Sequence, residues 1–482
     1  MKSIRCFFSV LTSILVLISP VSAIAEGIEL FVDVKTKQIF TEKGVGRVRL
    51  GTAVIVSDEP SAPTSARPTS KDAAMGSAAS ASSPGPITGS TALAASTSTT
   101  KDTKPTPTWY EKFALRGYTQ LRYTSLLSHE GAEWFSPTDK TIAPDQTFLI
   151  RRGRLILSGD ASDHLAMYIQ TDLNGSTSTG DFVVQLRDLY GDIAFDPKKE
   201  FRLRVGQSKV PFGFVNMQSS QNRSMMERPD SINSAAEGER DIGTFLYWAP
   251  KEIRERFNYL VKNGLKGSGD YGVLGGGFYS GQGLNKSDLN DSLHTVVRAS
   301  YPFKLASGQF FEPGIQAYTG KFVPTTKAYE LNGDDAYTPT FDQDGVTDQR
   351  IGVSAIWYPQ PVGFEAEWNV GESPELSSNF ETIETGFVQG GYLQANMKID
   401  AENGTWFPFV RWQYFDGARK FGKNAPAVLI NEMDLGAEWS PWPDVEFTAA
   451  YTYTFDRTNS NSFPYENLTN GSRLGMQVQL NY

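Results

Sequence analysis

What most constrains this chain is a strand pattern that recurs along it. In segments of about 8–13 residues every second side chain is apolar, and the residues between are Arg, Gln, Asp or Tyr. Leu203 and Val205 alternate with Arg202 and Arg204, and Leu115 and Leu121 lie opposite Arg116 and Arg122. Leu155 and Leu157 lie opposite Arg152 and Arg154, with Arg151 out of pattern, and Leu189 and Ile193 lie opposite Asp188, Tyr190 and Asp192. The second half repeats this in Ile351, Val353 and Trp357, in Val362, Phe364 and Trp368, in Met433, Leu435 and Trp439, and in Val445, Phe447 and Tyr451. No sustained 3.6-residue periodicity marks a long amphipathic helix, so the class is all-β. A soluble sheet turns its apolar face to a core and its charged face to water. A membrane barrel turns the apolar face to lipid and the charged face to a water-filled lumen. One strand cannot separate these readings.

The rest of the chain separates them. Lys2 and Arg5, then an apolar run from Phe7 to Ile18, then Ala23-Ile24-Ala25 form a secretory signal over residues 1–25. Cys6, the only cysteine, lies inside it, so the exported chain would carry neither a disulfide nor a thiolate metal site. No later stretch reaches 18 apolar residues, which excludes transmembrane helices but not barrel strands of about 9–11 residues. A hydrophobic fraction of 39% with an aromatic fraction of 12% suits lipid-facing strands with aromatic girdles, for which Trp357, Trp368, Trp439 and Trp442 are candidates.

Residues 26–56 read as a small β-hairpin-like unit. Residues 57–108, rich in Ala, Ser, Thr and Pro, bury too little apolar surface to order themselves and read as a disordered linker. The main domain is 109–482. Its connections alternate between short turns, such as Asp196-Pro197-Lys198-Lys199 and Pro359-Gln360-Pro361, and long polar loops at 129–145 and 324–347, as at the two ends of an outer-membrane barrel. Leu474, Met476, Val478, Leu480 and Tyr482 alternate with Gln477, Gln479 and Asn481. A last strand of this kind, ending on an aromatic, is similar to the signature that barrel-assembly machinery engages.

The stretches Arg151-Arg152-Gly153-Arg154-Leu155, Leu186-Arg187-Asp188-Leu189-Tyr190-Gly191-Asp192, Arg204-Val205-Gly206-Gln207-Ser208-Lys209-Val210-Pro211-Phe212-Gly213 and Gly238-Glu239-Arg240-Asp241-Ile242-Gly243 resemble the phosphate-selective porin O and P family. The resemblance extends over roughly 113–482 and is more specific in the first half. It implies a transmembrane antiparallel barrel of 16 strands in the bacterial outer membrane. It also implies a homotrimer, and a constriction loop folded into the pore at about 215–236. The expected partners are outer-membrane lipid and lipopolysaccharide, the assembly machinery, and small anions such as phosphate.

The alternation places Arg116, Arg122, Arg152, Arg154, Arg202 and Arg204 on the inward face, and Lys209 and Arg240 flank the loop. Guanidinium suits oxyanions because it stays charged and donates in a fork. Residues two apart on one strand face stand about 6.5–7 Å apart, close enough to form successive steps. A second reading stays open, in which these bases pair across the wall with Asp172, Asp188, Asp192, Glu365 or Glu367. Charge does not decide: residues 113–256 carry 18 basic and 19 acidic residues, and 257–482 carry 15 and 26. Asp334, Asp335, Asp342 and Asp344 lack the spacing of a calcium loop, and His129, His164 and His294 are too scattered for a metal or a triad. No nucleophile, phosphate-loop or dinucleotide motif is visible, so no enzyme, cofactor, metal or nucleic-acid partner is expected. The reading is a diffusion porin for small hydrophilic solutes with an anion preference. The alternatives are a barrel with cation or non-selective conductance and a secreted β-rich carbohydrate-binding protein.

Overall fold

The computed structural model describes residues 28–33, 39–40, 47–53, 108–131, 141–142, 147–175, 182–329, 337–459 and 467–482. The signal expected at 1–25, nearly all of the linker expected at 57–108, and Asp334 and Asp335 lie outside the described residues.

The chain forms two units, Met1–Thr100 and Lys101–Tyr482. In the first, β1 (Ile28–Asp33) pairs antiparallel with β2 (Ile39–Phe40) on one side and β3 (Arg47–Ala53) on the other.

The second unit opens with a short 3-10 turn, Trp109–Lys112, and then runs as strands. These are β4 (Phe113–Gly131), β5 (Thr147–Asp160), β6 (Leu165–Gly175), β7 (Phe182–Ala194), β8 (Phe201–Lys209), β9 (Arg240–Trp248), β10 (Leu274–Tyr279), β11 (His294–Ser300), β12 (Phe303–Lys304) and β13 (Phe310–Phe322). They continue as β14 (Val346–Trp357), β15 (Val362–Leu376), β16 (Ile383–Met397), β17 (Ile399–Ala401), β18 (Gly404–Ala418), β19 (Ala427–Trp442), β20 (Val445–Asn459) and β21 (Asn467–Asn481). All pair antiparallel with their neighbours, and β21 pairs with β4 to close the barrel. Both β11 and β12 pair with β13, and both β16 and β17 pair with β18, so the wall has 16 staves.

The faces settle the choice between sheet types. Leu115 is 71% exposed, Val184 71% and Leu435 63%, whereas Gln120, Arg122 and Asp434 inside are at most 1% exposed. A soluble sandwich would show the reverse. The wall therefore presents its apolar side outward, and the secreted carbohydrate-binding alternative falls. Trp357 and Trp442 are outward-exposed near the ends of their strands, as girdle residues should be.

Turns form where the sequence supplies local acceptors. Asp196 accepts the backbone N–H groups of Lys198 (2.9 Å), Glu200 (3.1 Å) and Phe201 (2.9 Å), closing β7 onto β8. At the seam, Gly117 and Tyr482 exchange backbone hydrogen bonds, and a Cβ on Gly117 would stand 2.5 Å from the Tyr482 ring. Gly117 is thus the space into which that ring packs.

One element departs from the sequence reading. Between β9 and β10 lies a helix, α3 (Lys251–Lys262), which buries Ile253, Phe257 and Leu260 at spacings of four and three. At twelve residues it is too short to register as a long amphipathic period.

Candidate functional site: the inward loop and the arginine wall

The loop between β8 and β9, residues 210–239, does not stand above the barrel. It enters the lumen and is held from every side. Gly213, at φ 82°, turns the chain inward, and a Cβ there would meet Ile232 at 2.6 Å. The helical turn α1 (Phe214–Met217) follows, and the Glu367 carboxylate of β15 accepts the N–H groups of Phe214 (2.6 Å) and Val215 (2.9 Å). Ser220 meets Tyr118 of β4 at 2.6 Å. Arg411 of β18 donates to the Glu227 carbonyl (2.8 Å). A second turn, α2 (Asp230–Asn233), receives Arg350 of β14 on the Ser231 carbonyl (3.1 Å), and Lys420 donates to the Ala235 carbonyl (2.9 Å). Met225 and Met226 pack on Phe409 and Ala450. The loop thus crosses to the β14–β20 wall and is pinned there.

Two loop glutamates organise the opposite, basic wall. Glu227 accepts Arg122 (2.6 Å) and Arg151 (2.8 Å) on Oε1 and Arg152 (2.8 Å) on Oε2. Glu239 pairs with Arg223 (3.0 Å), Arg228 (3.1 Å), Lys209 (3.4 Å) and its neighbour Arg240. Glu239 sits at φ 71°, beside Gly238 at φ 72°. A glutamate in the left-handed region is held there by surroundings that over-determine it, here four bases on one carboxylate. Burial opposes ionisation of both acids. Arg151, Arg152 and Arg122 nevertheless hold Glu227 well below the ordinary 4.5, and Lys209, Arg228, Arg240 and Arg223 do the same for Glu239.

A carboxylate depressed in the folded state contributes stability that is complete above its ordinary value and lost as pH falls through the lowered one. The loop should therefore stay docked through mildly acidic pH and release only in acid well below the ordinary glutamate range. Single-channel records taken down a pH series check this: quiet open levels at pH 5 and fluctuating ones in stronger acid are expected.

The bases anticipated from alternation all lie where the pattern puts them, and nearly all are paired. Arg122 and Arg152 meet at Glu227. Arg154 faces Asp172 (3.3 Å) and donates to the Tyr118 hydroxyl (2.8 Å). Arg204 forms a fork with Asp192 (2.7 and 2.8 Å) and lies 3.9 Å over the Tyr190 ring. Arg202 meets Asp270 (2.8 Å), and Arg240 meets Asp188 (3.0 Å). Lys209 is buried, with its ammonium on the carbonyls of Asn216, Met217 and Gln218. Arg116 is exposed. Glu365 and Glu367 do not serve as arginine partners: Glu365 accepts Asn396 (3.1 Å), and Glu367 holds the loop.

Two arginines escaped the alternation because bulges carry them inward. The β4–β5 register skips from Gln120↔Arg152 to Leu121↔Ile150, so Arg151 has no partner and points inward beside Arg152. The β6–β7 register skips from Gln170↔Asp188 to Thr171↔Leu186, which frees Arg187 in the same way. Arg187 Nη2 donates to the Gly238 carbonyl (3.0 Å), and no carboxylate pairs with it among the described residues. The one signal in the sequence was Arg151 standing out of pattern.

Above the loop these groups enclose a cavity of about 370 Å³. Its charged lining is Arg151, Arg152, Arg154, Arg187, Arg228 and Lys286 against Asp172, Glu227, Glu237 and Glu239. The buried Arg187 Nε has no hydrogen-bond acceptor among the described residues, and the Arg154 Nε faces the Asp172 carboxylate at 3.3 Å. No described acid of the second half lines this cavity. On β14 and β19, Asp348 is paired with Lys420, Glu432 with Arg473, Asp434 with Arg411 and Glu438 with Lys266, while Asp342 and Asp344 lie exposed in an outer loop.

Residues 128–482 match the family model described as phosphate-selective porin O and P. The chain belongs to that family. This porin is an outer-membrane diffusion channel of the bacterial cell, and its barrel, inward loop and charged lumen fit that assignment. No curated protein matches the chain. Among solved structures it is similar to OmpT of Vibrio cholerae in trimer form, at 9% identity and a TM-score of 0.45, covering 77% of this chain and 99% of that one. It is also similar to OmpF of Salmonella typhi in complex with daunomycin (11%, TM-score 0.46, covering 76% and 97%). A third is the anion-selective porin from Comamonas acidovorans (10%, TM-score 0.42, covering 77% and 99%).

Proposed function

We propose that this porin prefers small anions, phosphate among them, and that they pass through the cavity above the inward loop. The observation that carries this is the excess of base there: six cationic side chains against four carboxylates, with Arg187 holding no acid among the described residues. Most of the arginines are neutralised in place, so the wall is a set of ion pairs with a small positive surplus. Such a wall attracts an anion without trapping it, which a conducting site requires. The Arg187 guanidinium, which donates to the Gly238 carbonyl and meets no carboxylate among the described residues, has donors to spare for a phosphate or carboxylate oxygen. Of the residues expected to line the pore, Arg152 and Arg154 belong to this site. Arg122, Lys209 and Arg240 set the loop that bounds it, and Arg116, Arg202 and Arg204 act elsewhere on the wall.

Addition of phosphate to a bilayer carrying chloride current tests this reading. Concentration-dependent reduction of the single-channel current is expected, and it should weaken in Arg187→Gln. Chloride current indifferent to phosphate would count against an oxyanion site. We also take the assembly to be a homotrimer in contact with outer-membrane lipid and lipopolysaccharide, as the family resemblance implies, and take β21 as the strand that the barrel-assembly machinery engages. The mass of the detergent-solubilised protein tests the trimer, and a monomer mass would remove it.

A further inference from the structure

The connection between β9 and β10 is far longer than the barrel needs. Trp248 and Leu274 are already cross-strand partners, and Val273 N–H donates to the Trp248 carbonyl (2.7 Å). A two-residue turn would join them. Instead residues 249–273 intervene at the end of the barrel where the other turns are short, the periplasmic end.

That segment is seated in the mouth. The buried face of α3 points into the barrel, where Leu260 and Leu265 form one cluster with Phe310, Ile356 and Tyr358 of the wall and Phe214 of the inward loop. Arg256 donates to the Pro302 carbonyl (2.7 Å), and Lys398 donates to the Asn263 carbonyl (3.3 Å). Asp270 is fixed by Arg202 and Arg254, both at 2.8 Å. At the far wall the Lys266 ammonium forks onto Glu438 of β19 (2.5 and 2.7 Å). Gln218 of the inward loop donates to the Lys266 carbonyl (2.7 Å), which ties the two insertions together. On the opposite side of this end, along β5–β7, lies a cavity of about 430 Å³ with Lys112, Ser158, Asp160, Tyr168, Tyr190 and Asp192 in its lining.

We infer that residues 249–273 form a second constriction, which closes the β13–β20 side of the periplasmic mouth and confines permeating ions to the β4–β8 side. Lys266 is its selectivity determinant. It is the base set against Glu438, with Glu446 and Glu365 also acting on it, so it keeps an acidic sector of the mouth from favouring cations. This goes beyond the anion preference proposed above, since the segment narrows the mouth whatever ion the pore prefers.

Replacing residues 249–273 with an Asn-Gly turn should raise single-channel conductance by about twofold or more, because conductance follows the open cross-section at the narrowest points. Leu260→Lys keeps the segment but charges its buried face, and should raise conductance in the same direction if the shortened hairpin fails to fold. Lys266→Gln should move the zero-current potential in a salt gradient toward cations, and Lys266→Gln with Glu438→Gln should bring it back. Unchanged conductance in folded Leu260→Lys barrels would overturn the second constriction. A Lys266→Gln shift that the second change does not reverse would overturn the role given to Lys266.

Discussion

Glu239→Gln is expected to free the inward loop. Four bases converge on this carboxylate, which is 2% exposed. Removing one member of a buried ionic cluster leaves its partners uncompensated and costs about 3–5 kcal/mol. The cost falls on the loop's return into β9, where the left-handed turn at Gly238 and Glu239 then lacks the contacts that hold it. The barrel wall is untouched, since its backbone ladder does not depend on this side chain. Single channels of the variant should therefore open to a higher and noisier level, and the loop should become a protease target in detergent. A quiet channel with wild-type conductance would mean that the many wall contacts hold the loop without Glu239. Glu227→Gln is the natural comparison, since it breaks the contact to Arg122, Arg151 and Arg152 but leaves the return turn intact.

Arg187→Glu is expected to abolish the anion preference. It converts six bases and four acids around the cavity into five of each. Because Arg187 has no carboxylate partner among the described residues, its charge is the one least cancelled locally. At low salt, where the Debye length reaches about 30 Å at 0.01 M, the whole cavity lies within its field and the shift should be greatest. Arg202→Glu makes the same change of charge outside the cavity, at Asp270, and should move the zero-current potential far less. Equal effects from both would show that total lumenal charge, rather than this cavity, sets selectivity.

How far the sequence reaches follows from the physics of each element. Alternation is local, so the barrel, its two faces and the inward placement of Arg122, Arg152, Arg154 and Arg204 could all be read before any coordinates. Register is not local. Arg151 and Arg187 become lumenal because a neighbouring strand skips a residue, and nothing in their own segments states that, beyond the break in pattern at Arg151. The two organising acids, Glu227 and Glu239, lie in a loop with no period, and their partners are brought together only by closure of the wall. Asp192 and Asp172 did prove to be arginine partners because they stand opposite Arg204 and Arg154 on neighbouring strands, whereas Asp188 of β7 reaches past β8 to Arg240 of β9. The helix Lys251–Lys262 buries its apolar residues at 253, 257 and 260, three positions embedded in a chain of period two. Its docking depends on Phe310, Ile356 and Tyr358, which are distant in sequence.

We propose a diffusion channel whose narrow region favours anions through a small positive surplus. The zero-current potential of the wild-type protein in a planar bilayer under a potassium chloride gradient measures that surplus directly. Discrete conductance steps with a potential of the sign set by chloride, growing as the salt is diluted, are predicted. A potential of the sign set by potassium would contradict it, and would hand the narrow region to the carboxylates that now neutralise the arginines.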